Sequence, residues 1–569
     1  MKQIKQKMIP VIIAVALIII IIIIGLFSGI MEKYSYSRER MDLNEYFQVY
    51  TEAEVSILLK DDVLEEKGIF QNGVCYLSLE TVQVHLNDRF YFDKGENLLL
   101  YTTPTEIIRA CVGENAYTVS ANSLTMDYPV VILENEIPYV AVDFVRKYTN
   151  FSYEVFEAPK RIQLYVESDS VTAADIKKKT KVRYQGGVKS PILTDVNKGD
   201  TVVVLEEMEK WSKVKTADSI IGYVENKFLK DERPLERIVE NTVEEPVYTS
   251  IHKDYKINLV WHLVTNTTAN GNVDGLLAST KAVNTISPTW FALSDNEGNF
   301  TSLADKAYVD KMHARGIEVW ALVDNFTGRI NDQAIDTQAV LSSTTKRTYL
   351  IQNLMSQVLA NGIDGINVDF EQVPREAGED YVQFLRELSV ACRLNNIVLS
   401  IDNYVPTEYT AYYDREEQGI IADYVIIMGY DEHYSGSDIG SVASINYVEN
   451  GIKDTIAAVP KEKVINALPF YTAIWATTDG NTTVDKVGMS YAENFMTERG
   501  GVAAWDEVTC QNYTNFQVDN TTYQIWLEDS ASIQTKLNVM KNYDLAGVAG
   551  WRLGLEKPEI WDLIAAYLQ

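Results

Sequence analysis

Basic charge is scarce in this 569-residue sequence, where 51 Lys and Arg stand against 80 Asp and Glu, a formal net charge of −29. Nucleic acids and anionic lipid surfaces are held through Lys and Arg contacts, so the balance excludes a nucleic-acid partner for the chain. Cysteine is also sparse. The four residues Cys75, Cys111, Cys392 and Cys510 are widely spaced and form no CxxC pair, which excludes a zinc ribbon and a disulfide scaffold and leaves small buried hydrophobes. Histidine is nearly as rare, with five residues in all, and no cluster has metal-ligand spacing. No metal and no organic cofactor is expected, and His262 reads as a satisfied core residue.

One long hydrophobic run is present, and it lies at the start. Lys2, Lys5 and Lys7 precede an uncharged stretch from Met8 to Ile30 that includes seven consecutive isoleucines, Ile18 to Ile24. As a helix it would span roughly 34 Å, enough for a hydrocarbon core of about 30 Å. "LFSGIMEKYSY" offers no small-residue cleavage site of the kind a signal peptide carries. Residues 1–30 are therefore expected to be a cytoplasmic N-terminus and single-pass anchor in the cell membrane. The lysines lie inside and the rest of the chain is extracytoplasmic, facing the cell wall.

At this length several domains are expected. "CYLSLETVQVHLNDRFYF" (75–92) aligns with "PYVAVDFVRKYTNFSYEV" (138–155), placing Tyr76 on Tyr139, Leu77 on Val140, Leu79 on Val142, Val82 on Val145 and Asn87 on Asn150. Each copy reads as strand, short helix and a strand pair ending at "LLLY" or "IQLY", so 31–170 is expected to be a duplicated α+β module. It resembles the small module named for the N-terminal domain of copper amine oxidases, although His85 stands alone there and supports no copper site. Residues 178–232, with "GDTVVVLEE", "WSKVKT" and "IGYVENKFL", resemble a bacterial Src-homology-3-like domain, a small β barrel. That domain is either a wall-binding module or a spacer. The acidic stretch 233–250 reads as a linker.

From 251 to 569 apolar strand runs alternate with amphipathic helices, the pattern of a parallel α/β architecture. Eight strands are predicted: 257–264, 284–293, 317–323, 364–371, 397–403, 423–430, 463–470 and 545–553. Eight strands in about 315 residues suit a (β/α)8 TIM barrel. A small α+β insertion, largely antiparallel, fills the long gap 471–544.

The fourth strand, "DGINVDFE", carries the chemistry. Period-two alternation points Asn367, Asp369 and Glu371 one way and Ile366, Val368 and Phe370 the other. Buried carboxylates are costly unless hydrogen-bonded or shifted in pKa, and such shifts cluster at catalytic sites. An acid beside a second carboxylate is the equipment for glycoside hydrolysis. Carboxylates at i and i+2 of one strand, however, do not flank a sugar from opposite sides, so the nucleophile must be something else.

"DGINVDFE" resembles the DxxDxDxE signature of the chitinase-like glycoside hydrolase family 18. The resemblance extends through "MGYD" (428–431) and Trp551 at the end of strand eight. It implies substrate-assisted, retaining catalysis in which the substrate's N-acetyl carbonyl attacks the anomeric carbon. By that resemblance Glu371 is general acid and then base, and Asp369 orients the acetamido group. Asp364 supports them from the start of the strand, and Tyr430 bonds the acetamido oxygen. Asp431 and Met428 line the substrate, and Trp551 is the floor beneath the sugar ring. The signature's second aspartate is Asn367 here, expected to donate to Asp369. Trp290 and Tyr471 are candidate cleft aromatics, and Asp324, Asn325 and Asn403 are candidate sugar contacts by position.

The expected activity is hydrolysis of β-linked N-acetylglucosamine bonds in peptidoglycan or a chitin-like glycan. A noncatalytic glycan-binding receptor is the alternative, as is a scaffold that positions the N-terminal modules against protein partners. Glu371 separates the first two, because binding alone does not require it.

Overall fold

The computed structural model describes the backbone of residues 2–240, 242–244 and 246–569; the side chains of 2–10, 26–30 and 32 lie outside the described residues. The chain divides into two compact units. The first comprises residues 1–90, 111–116 and 125–245. It begins with a helix over Lys2–Tyr34. Among the described residues no helix is long and apolar enough to cross a membrane. The anchor expected at 1–30 falls in part on residues outside them.

The two aligned segments share an order of elements, although their strand pairs fall in different units. Strand Val74–Ser78 and helix Leu79–His85 precede strands Tyr91–Asp93 and Leu98–Thr102. Strand Ile137–Ala141 and helix Val142–Val145 precede strands Ser152–Glu157 and Lys160–Tyr165. The two leading strands pair antiparallel with Leu77 opposite Val140, the residues that align in sequence, so the pairing is centred on equivalent positions. The second strand pair joins a seven-stranded sheet through Lys160–Tyr165, parallel to Glu54–Leu59. A second seven-stranded sheet, from Asp169 to Arg237, contains the predicted small β barrel. Its last strand, Leu229–Arg237, pairs with Asp169–Ile176 and so extends into the stretch expected to be linker. Ile176, Val182, Val202, Val214 and Val224 form its core.

The second unit comprises residues 91–110, 117–124 and 246–569. Eight parallel strands close into a barrel: β1 Ile257–His262, β2 Thr285–Leu293, β3 Glu318–Asp324, β4 Gly365–Asp369, β5 Val398–Tyr404, β6 Tyr424–Met428, β7 Val464–Pro469 and β8 Gly547–Trp551. Closure is made by β8 on β1 and β1 on β2. The insertion between β7 and β8 is a five-stranded antiparallel sheet with helix Met489–Glu498. Its leading hairpin, Tyr471–Thr478 and Asn481–Gly488, was not read from the sequence.

The barrel is filled in layers, as TIM barrels are. At the bottom Trp320 of β3 stacks on Tyr424 of β6, with centroids 5.2 Å apart. Gly365 is required at that level, because a Cβ there would sit 2.7 Å from the Trp320 ring. The helices flanking β4, Thr344–Asn361 and Gly378–Leu394, cover the outer face with Leu350, Leu354, Val358, Phe384, Leu385 and Leu388. The small sheet from Tyr91 is tied to them. Asp93 Oδ2 accepts from the Thr344 N–H at 2.6 Å, and the fully buried Arg347 donates to Glu387 at 3.0 Å and to Tyr91 Oη at 3.3 Å. Cys75 and Cys392 are buried as expected, whereas Cys111 is exposed and Cys510 half-buried.

Candidate active site

A pocket of about 520 Å³ opens at the C-terminal ends of the barrel strands, where βα loops of such barrels place their chemistry. Leu263, Trp290, Asp324, Asp369, Glu371, Tyr404, Met428, Tyr430, Asp431 and Trp551 are among its lining residues. Catalysts and floor expected from the sequence therefore converge: Glu371, Asp369 and Tyr430 with Met428, Asp431, Trp290 and Trp551.

Glu371 follows β4 and is held on both sides. Asn325, after β3, accepts from the Glu371 N–H at 2.9 Å and donates to its carbonyl at 2.8 Å. Tyr404, at the end of β5, donates from its hydroxyl to Glu371 Oε2 at 2.8 Å. Burial raises the Glu371 carboxyl above its ordinary value, against the lowering by the Tyr404 hydrogen bond. Asp431 and Asp324 raise it further, and Lys486 lowers it. The net direction is upward, toward the protonated form that a general acid needs.

Three aspartates stand abreast on adjacent strands below Glu371. Asp324 of β3 is in register with Asp369 of β4. On the other side Val368 pairs with Ile401, so the next step sets Asp369 beside Asp402 of β5. Burial, first of all, pushes Asp369 well above the carboxylate range, and Asp402, Glu371 and Asp324 add to it; Asp402 is raised by burial likewise. Asp369 Oδ1 is buried without a hydrogen-bond partner. Asp324 accepts from the backbone N–H groups of Phe326 and Thr327 at 3.1 and 2.7 Å, and burial raises its carboxyl too.

Asn367 lies one layer deeper and is fully buried. Its Oδ1 accepts from Trp261 Nε1 at 2.9 Å and from Ser287 Oγ at 3.0 Å. Its Nδ2 donates to Ser400 Oγ at 3.1 Å and to Asp402 Oδ1 at 2.8 Å. The expected donation from Asn367 to Asp369 is thus corrected. Both residues alternate onto the same face of β4, and the amide reaches sideways to β5, not upward along its own strand.

Four other expectations change. Asp364 is outside the site: about five residues below Asp369 at ~3.3 Å each, it accepts from the Val319 N–H and from His313 Nε2, each at 2.8 Å. Asn403 is out of phase with Asp402 and pairs with Gln418 of the outer helix at 2.6 Å, away from the lumen. Asn325 is a backbone clamp and not a sugar contact. Tyr471 is buried behind the pocket and donates to Asp431, which also receives Lys486 of the insertion. Trp290 lines the pocket, yet its Nε1 is committed to Asn270 at 2.9 Å. His262 is buried against Tyr308 and held down to about 4, first by burial and then by Arg552. Trp551, a half-buried aromatic at the end of β8, meets Trp261 edge-on at 5.8 Å.

Tyr404 and Asp402 were missed, although "SIDNY" (400–404) carries the same alternation as 367–371. Lys486 had no local signal, because it reaches the site from the insertion. Among the described residues no group of three or more His, Cys, Asp or Glu is arranged to hold a metal ion.

A parallel eight-stranded barrel with a raised acid after β4, set above a second carboxylate and beside an aromatic floor, defines a TIM-barrel glycoside hydrolase site. Residues 328–556 match the family model "Glycosyl hydrolases family 18", and residues 178–230 match "Bacterial SH3 domain". Residues 328–556 are thus a glycoside hydrolase family 18 domain, and a bacterial SH3 domain lies ahead of it. The "Putative sporulation-specific glycosylase YdhD" of Bacillus subtilis (strain 168) is 27% identical over 272 residues, 47% of this chain and 64% of that protein. The "Cortical fragment-lytic enzyme" of Bacillus anthracis is 25% identical over 305 residues, 51% of this chain and 70% of that protein. A solved "C-terminal domain of putative chitinase" from Desulfitobacterium hafniense DCB-2 superposes with a TM-score of 0.50 at 19% identity, covering 56% of this chain and all of that one, a likeness of fold.

Proposed function

We propose that the barrel hydrolyses β-linked N-acetylglucosamine bonds of a cell-wall glycan with retention, by substrate-assisted catalysis. One observation carries the reading: Glu371, clamped through its backbone and raised by burial, sits in the pocket directly above Asp369, whose Oδ1 has no partner within the protein. Glu371 protonates the leaving oxygen and later deprotonates water. Asp369 receives the acetamido N–H, turning its carbonyl toward the anomeric carbon and stabilising the positive charge that develops on nitrogen. Tyr430 reaches the acetamido oxygen, and Trp551 supports the ring.

Peptidoglycan is favoured over chitin by the bacterial SH3 domain and by the names of the curated relatives. The same setting gives the extracytoplasmic location its place in the proposal. Support for tethering through residues 1–30 comes from the sequence run and from Ile18–Ile24, each about half exposed. The 31–170 module, with its resemblance to the copper amine oxidase N-terminal domain, is read as an accessory to wall binding. Incubating the protein with purified peptidoglycan and with N-acetylglucosamine oligomers, beside a Glu371→Gln control, tests the reading by mass spectrometry. Products absent from the control support it; intact glycans with retained binding would favour the noncatalytic receptor.

A further inference from the structure

The geometry points to Asp402 as a positioning residue that carries the negative charge of a buried two-carboxylate pair and so keeps the single shared proton on Asp369 while the site is empty. This rests on the glycosidase reading of Asp369 and adds a residue from another strand. Neighbouring strands lie about 4.8 Å apart, so two inward carboxylates at one level in a closed interior do not both ionise. Which of them holds the charge is decided by Asn367. An indole N–H only donates, and Trp261 Nε1 lies 2.9 Å from Asn367 Oδ1. The amide is thereby fixed with its carbonyl toward β1 and β2 and its N–H groups toward β5. Asp402 Oδ1 receives one of those hydrogens at 2.8 Å, whereas Asp369 Oδ1 receives none. A donated hydrogen bond favours the ionised form. An aspartate at 367 would turn a second carboxylate on Asp402 and remove the donor. Asn367 and Asp402 are therefore complementary.

The other groups facing the pair are Asp324 from β3, Glu371 above β4, Tyr404 from β5, and Tyr430 and Asp431 after β6. Tyr381 and Tyr413 face it from the outer side, while Lys486 of the insertion acts on Glu371 and Arg415 on Tyr381 and Tyr413. Lys486 and Arg415 are the cations of this set, and Lys486 is paired with Asp431. When the acetamido nitrogen gains positive charge, that charge offsets a second anion beside Asp402, so Asp369 ionises and its proton leaves to solvent. The proton count of the pair thus sets the acid side of the rate profile.

The test compares wild type, Asp402→Asn and the exchange variant Asn367→Asp/Asp402→Asn, each checked by thermal melting. Infrared difference spectroscopy at neutral pH follows the protonated-carboxyl band of Asp369, identified by its loss in Asp369→Asn. In Asp402→Asn that band should weaken, and the acid limb of the kcat/KM profile should move to lower pH by about one unit. The exchange variant, which returns a carboxylate to the neighbourhood, should restore both. An unchanged band and limb in Asp402→Asn overturn the proposal. If Asp402→Asn does not fold, loss of the band in the exchange variant overturns it. The band is read without turnover, so a wild type that cleaves no glycan counts against the glycosidase reading alone.

Discussion

Replacing Tyr404 by Phe isolates the hydrogen bond that tunes the general acid. The phenol oxygen accepts from the Gln372 N–H at 3.2 Å, which leaves its own hydrogen for Glu371 Oε2 at 2.8 Å. A hydrogen bond to an ionised group is worth about 1.5–3 kcal/mol and one to a neutral partner about 1 kcal/mol. The charged form of Glu371 therefore gains roughly 1.4 kcal/mol more than the protonated form, which is about one pKa unit. The sign follows. Tyr404 lowers the Glu371 pKa, so its loss raises it, and the basic limb of kcat/KM moves up by about one pH unit. Loss of the same bond frees the carboxylate to rotate, and kcat/KM at the optimum should fall about tenfold. The ring is kept, and with it the edge-on contact to Tyr413 at 6.1 Å, so the melting temperature should change little. Initial rates of reducing-end release across pH, on whichever glycan the wild type cleaves, give the result. A basic limb that stays in place or moves down in a folded protein would refute the role given to Tyr404.

Lys486→Met should also move the basic limb upward, because a cation that favours ionised Glu371 is lost. Its side chain is 40% exposed, so the shift should be smaller than that of Tyr404→Phe and should shrink as salt is raised from 0.05 to about 0.5 M. Asp364→Asn should leave kcat/KM at its wild-type value while lowering unfolding free energy in urea by about 1 kcal/mol, since it removes bonds to Val319 and His313 at the opposite end of the barrel. Lys536→Met should destabilise by about 3–5 kcal/mol, because Glu528 would keep its buried charge with only Gln511 and Ser532 beside it. Replacing Glu528 and Lys536 together by apolar residues should cost much less.

The barrel was legible because each of its strands is a short apolar run bounded by polar residues, a local property. The alternation in 364–371 likewise placed Asp369 and Glu371 correctly. The resemblance, not the alternation, set Asp364 beside them, and it failed for a reason of length: a signature read as one string conceals that its first aspartate lies a full strand below its last residue. It could not supply the direction of the Asn367 amide either, which depends on Trp261, Ser287 and Asp402, residues 106, 80 and 35 positions away. Lys486 and Tyr471 approach Asp431 from an insertion whose fold is decided by pairing across the hairpin at Thr478 and Asn481. Local patterns mark which side chains point inward; they do not say which inward neighbours meet.

That distinction bears on the departure at Asn367. Considered along β4 alone, the amide is a lost carboxylate beside Asp369. Considered across the barrel, its oxygen and both its hydrogens are satisfied by groups from β1, β2 and β5, and the carboxylate count of the layer above is kept by Asp402. Restoring aspartate at 367 alone would leave the Trp261 and Ser287 donors satisfied but would add a fourth aspartate to Asp324, Asp369 and Asp402, with no amide hydrogen from 367 among them. Such a layer binds an additional proton. The single replacement should therefore shift the acid limb upward, the reverse of the shift expected for Asp402→Asn. Opposite displacements from two isosteric changes at one hydrogen bond are what an electrostatic role requires, and loose packing would move neither limb in a defined direction.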